Sequence, residues 1–176
     1  MAELLPYLAV VPALLGLLWA SVVVHEAGHY LLGRCVGVPA SDMKIHLGRP
    51  SYVALRHGQR WVCPDDEGYI PAFVRHAPSR PAAWSFVTGG FLIETCVVQL
   101  LVLVLAVQDL RGVALLVLGA SSVIFVLYLL LDAVASVRSG ATAGDGSAMW
   151  RISAPATLIA LATFAGVRVM TLVLLL

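Results

Sequence analysis

The residues with chemistry in them stand together at His25-Glu26-Ala27-Gly28-His29. Two imidazoles four positions apart share one face of a helix, where both can reach a single metal ion. Glu26 follows the first histidine and can lean toward a water at that ion and take its proton. This is the H-E-x-x-H arrangement of zinc hydrolases. With five histidines in 176 residues, the pattern arises by chance only on the order of a few times in a thousand.

A hydrolytic zinc takes three protein ligands and keeps one position for water, so a third ligand must come from elsewhere. Asp145, between Gly144 and Gly146, can approach with little hindrance. Asp132 ends an apolar stretch at about the depth of the motif. Spacing alone leaves both open. His46, His57 and His76 lie in a polar segment and read as solvated loop residues.

The elements that must position these groups belong to a membrane protein. The chain is 60% hydrophobic and 12% charged, where soluble domains carry about 25% charge. Its mean hydropathy is +0.93. The expected fold is an all-α membrane protein, one membrane-embedded domain over 1–176 with four spans at about 4–33, 82–107, 113–132 and 156–176. The first would be ~45 Å long as a helix, more than the ~30 Å hydrocarbon core. Pro6 and Pro12 set its start or a kink, the motif fills its last two turns, and Gly33 and Gly37 are stop signals. The apolar run has no basic segment before it and continues into the motif, so no cleaved signal is expected.

The polar loop 34–81 alternates at Met43–Leu47. Ser51–Leu55 and Arg60–Cys63 flank a turn at Arg56-His57-Gly58-Gln59. This predicts a small β-hairpin or β-sheet insertion between the first and second spans. Pro71, Pro78 and Pro81 mark an irregular return. The short link 108–112 makes the second and third spans antiparallel, and the Gly- and Ser-rich stretch 139–154 reads as a loop.

Charge orients the expected bundle. Arg34, Lys44, Arg49, Arg56, Arg60, Arg75, Arg80, Arg138 and Arg151 fall on one side and Arg111 on the other. The positive-inside rule puts the loop 34–81, the motif, Asp132 and Asp145 toward the cytoplasm, in a multi-pass protein of the cell membrane. A formal net charge of +1 gives no field that would recruit nucleic acid. Cys35, Cys63 and Cys96 are far apart and odd in number, so neither a disulfide framework nor a C-x-x-C metal pair is expected. Glu94 and Arg168 each lie about 17–18 Å into their spans from the loop side, and a buried charge wants a partner. They read as a pair, or else Glu94 faces the metal cavity.

Three stretches in order resemble the site-2 protease family of intramembrane zinc metalloproteases. They are His25-Glu26-Ala27-Gly28-His29, Gly89-Gly90-Phe91-Leu92-Ile93-Glu94, and Asp132 followed by Ser139-Gly140-Ala141-Thr142-Ala143-Gly144-Asp145-Gly146. The resemblance covers most of the chain. It implies Zn2+ held by His25, His29 and Asp145, Glu26 as catalytic base, and Asp132 at a position where the family often has asparagine. It also implies membrane-associated β-strands between the first two core spans, and a transmembrane or membrane-proximal protein substrate cut within the lipid bilayer. Two residues depart from the family pattern: Phe91 stands where it usually has proline, and Glu94 where it usually has asparagine. A non-catalytic zinc-containing membrane binding protein of the same fold is the alternative. A metal transporter is weaker, because the ligands cluster on one side.

Overall fold

The computed structural model describes residues 5–176, with side chains from Val11 onward. Leu4, where the first expected span begins, and the side chain of Pro6 lie outside the described residues. The order of elements is α1 (Leu5–Cys35), β1 (Met43–His46), β2 (Tyr52–His57), β3 (Arg60–Val62), α2 (Tyr69–Val74), α3 (Arg80–Val107), α4 (Arg111–Ser139) and α5 (Asp145–Leu175). Helices α1, α3, α4 and α5 are each long and apolar enough to cross a membrane. Only 17–33% of their apolar windows is buried within the fold. Most of those side chains therefore face outward, which suits lipid better than water.

Helix α3 is the hub, packed against α1, α4 and α5. It runs antiparallel to α1, with His29 at Phe86 and His25 at Glu94. It runs parallel to α5, with Trp84 at Thr157, Arg168 at Thr95 and Thr171 at Gln99. Glycine brings α1 and α3 together. A Cβ on Gly28 would run into the Gly89 carbonyl, and one on Gly89 would lie 2.7 Å from the Gly28 oxygen. Small residues of this kind let helices approach backbone to backbone where no hydrophobic force separates lipid from protein.

Between α1 and α3 lies a three-stranded antiparallel sheet in the order β1-β2-β3. Met43 pairs with Leu55, His46 with Tyr52, and Leu55 with Val62. Gly58, at φ +62°, supplies the left-handed residue that the tight β2–β3 turn requires. Met43, Val53 and Leu55 pack with Val38, Phe73, Ala77 and Phe86, which fastens the sheet to the ends of α1 and α3. The Tyr69 hydroxyl donates to the Val53 carbonyl at 2.9 Å. Burial pushes its ionisation far above the usual value, so it stays a donor.

Three expectations need correction. The return segment is not wholly irregular: Tyr69–Val74 is a helical turn, with Pro71 in its first turn where a missing N–H costs nothing. The third helix does not close at Asp132 but runs on to Ser139 and ends at Gly140 (φ +67°). The stretch 139–154 is mostly helix, because α5 starts at Asp145 and bends at Ser153 (φ −159°, ψ 96°), two residues before Pro155. The glycines there mark a close approach rather than a long loop. A Cβ on Gly144 would be 3.1 Å from the Asp132 carboxyl carbon, and one on Gly146 2.9 Å from its oxygen.

Candidate metal centre

Four helices converge on the motif. His25, Glu26 and His29 come from the loop-side end of α1, Glu94 from α3, Tyr128 and Asp132 from α4, and Asp145 from the first position of α5. His25 Nε2 lies 2.8 Å and His29 Nε2 3.1 Å from Asp145 Oδ2. The three ligand atoms lie within 4.8 Å of one another and could hold a metal ion. Of the two aspartates that spacing left open, Asp145 is the one brought to the histidines.

The hydrogen bonds on the far side of each ring show why this donor set fits a cation. His29 Nδ1 is 2.9 Å from the Phe86 carbonyl oxygen, which can only accept, so Nδ1 carries the proton. His25 Nδ1 lies 3.2 Å from Glu94 Oε2, also an acceptor. A neutral imidazole protonated at Nδ1 presents a lone pair at Nε2. Two such lone pairs and a carboxylate oxygen then face one point, an arrangement that a positive ion satisfies.

Asp132 does different work. Its Oδ2 accepts from the Ser147 N–H at 2.8 Å, so it caps the start of α5 from the neighbouring helix. It is buried and steadies the turn that presents Asp145. Tyr128 was not singled out from the sequence. Its hydroxyl donates to Asp145 Oδ2 and accepts from the Asp145 N–H, both at 3.2 Å. The signal was its place four residues before Asp132, on the same face of α4.

Glu26 is 6% exposed and close enough to His25, His29 and Asp145 to feel their charge, with the Ser51 side chain beside it. The Asp145 side chain, at 25% relative exposure, is the most open member of the cluster. Glu94 does not pair with Arg168. It faces His25, while Arg168 donates to Thr95 Oγ1 at 2.8 Å and lays its guanidinium 4.5 Å from the Phe125 ring centre. The loop histidines stay apart from the cluster: His46 stacks on Tyr52 and His76 sits 3.0 Å from Asp42. The three cysteines are free thiols. No family model, curated protein or solved structure matches the chain.

Proposed function

We propose that this chain is an intramembrane zinc metalloprotease, similar in design to the site-2 protease family, acting on transmembrane or membrane-proximal protein substrates. One observation carries the reading: His25, His29 and Asp145 converge from two distant helices while Glu26 stands in the same helical turn as both histidines. A site for metal storage or passage has no use for that glutamate.

His25, His29 and Asp145 would hold the zinc. When bound, it supplies electrostatic activation of a water and of the scissile carbonyl. Glu26 takes a proton from the attacking water and passes it to the leaving nitrogen of the peptide bond, a transfer contributing about 10²–10⁴-fold. Tyr128 and Asp132 keep Asp145 in place. The face at Asp145 admits water, while Phe91, Phe125 and Phe164 pack behind the site and exclude it there.

Nine of the ten basic residues near the helix ends lie at the end of the bundle that carries the sheet and the cluster, with Arg111 at the other, which supports placing that end in the cytoplasm of a cell-membrane protein. The test is cleavage of membrane-spanning reporter proteins by vesicles holding wild type, Glu26→Ala or Asp145→Ala. Wild type releases a fragment from the cytoplasmic side and neither variant does. Full cutting by Glu26→Ala refutes the mechanism. Metal binding with no cutting by wild type leaves the non-catalytic binding protein in its place.

A further inference from the structure

We infer that Glu94 is the positioning residue of the metal centre: it orients His25, fixes its tautomer and supplies a second negative charge to the bound ion. This rests on the proposed metal site and adds a residue to it. Glu94 Oε2 lies 3.2 Å from His25 Nδ1, the nitrogen on the ring edge that faces away from Asp145. Glu94 is therefore not a fourth ligand, since the imidazole stands between it and the cluster. An acceptor there holds the proton on Nδ1 and leaves Nε2 free to bind.

Glu94 is 6% exposed, and among the described residues His25 is the basic group within ion-pair distance of it, Arg168 feeling its charge from farther off on Thr95. Its helix is fitted to the ring. Gly90, one turn earlier, leaves room for the imidazole, and the Phe91 ring meets it edge-on at 5.0 Å between centres. Charge points the same way. A divalent ion in a low-dielectric interior needs compensation, and one ligand aspartate supplies only half. The Glu94 carboxylate, one imidazole away, adds to the compensation on the His25 side, opposite Asp145. His29 has only the neutral Phe86 carbonyl in the equivalent place, so the two histidines are not equivalent ligands.

The experiment is titration of the detergent-purified, metal-stripped protein with Co2+, whose visible absorption reports ligand geometry, against a competing chelator. Glu94→Ala is expected to weaken Co2+ binding about 10–100-fold and change the absorption bands. Glu94→Gln keeps an acceptor oxygen and loses the charge, so it should restore the bands and only part of the affinity. Thr95→Ala, which removes the neighbouring Arg168 contact, should leave both unchanged. Glu94→Ala binding within twofold of wild type overturns the inference, as does an equal loss in Thr95→Ala. If His25→Ala and Asp145→Ala also bind like wild type, the metal site itself falls, and the role of Glu94 with it.

Discussion

Replacing Gly90 with alanine tests the geometry of the centre from the α3 side. A Cβ at this position would sit 2.5 Å from His25 Nε2 and 2.6 and 2.7 Å from two ring carbons. Ordinary contact begins near 3.4 Å, so the ring must retreat by about 0.9 Å or the helices must part. Metal–ligand distances tolerate only about ±0.2 Å, and the atom displaced is the ligand nitrogen itself. Strain from inserting one methyl into a packed site costs about 1–3 kcal/mol. Borne by the metal-bound state, this is a loss of about 5- to 160-fold in metal affinity. Gly119→Ala is the control, because a Cβ there meets nothing within 4 Å. The assay is competitive metal titration of both variants in detergent. If Gly90→Ala binds metal as tightly as Gly119→Ala, His25 is not held against α3 and the reasoning fails.

Three further outcomes follow from the same contacts. Asp145→Ala should abolish metal binding, whereas Asp132→Ala should weaken it without abolishing it and lose about 0.5–2 kcal/mol of stability through the α5 cap; paired metal analysis and denaturant titration decide, and the reverse pattern would exchange their roles. Tyr128→Phe removes one hydrogen bond to Asp145 and should weaken metal binding about 2- to 13-fold, as about 0.5–1.5 kcal/mol implies; an unchanged affinity would make that contact incidental. Gly28→Ala should lower stability by about 1–3 kcal/mol in detergent, because the new methyl meets the Gly89 backbone rather than a movable side chain.

The parts of the fold legible in the sequence were those set by local pattern. Apolar length located four helices, alternation located the strands, and Gly58 located the hairpin turn. Helix ends inside 132–155 were misread. Glycine and serine there resemble loop composition, yet they are required by the packing of α4 on α5. The histidine pair was legible because both residues lie on one helix. Spacing did not choose between Asp145 and Asp132, since that depends on how two helices meet; the family resemblance pointed to Asp145, the aspartate that lies at the histidines. Depth along a helix left Glu94 two readings, a pair with Arg168 or a place at the metal cavity; the rotation of α3 decides for the second, turning Glu94 to His25 and Thr95 to Arg168. The glycine pair at 89–90 had no physical reading until α1 lay against it.

The central claim is that one centre both holds zinc and cuts peptide bonds, with Glu26 serving only the second task. Wild type and Glu26→Gln, purified side by side, should each carry one zinc per chain, and only wild type should cleave a membrane-spanning substrate. Cleavage by Glu26→Gln would contradict the account. So would iron in place of zinc, since two histidines and a carboxylate also suit an oxygenase.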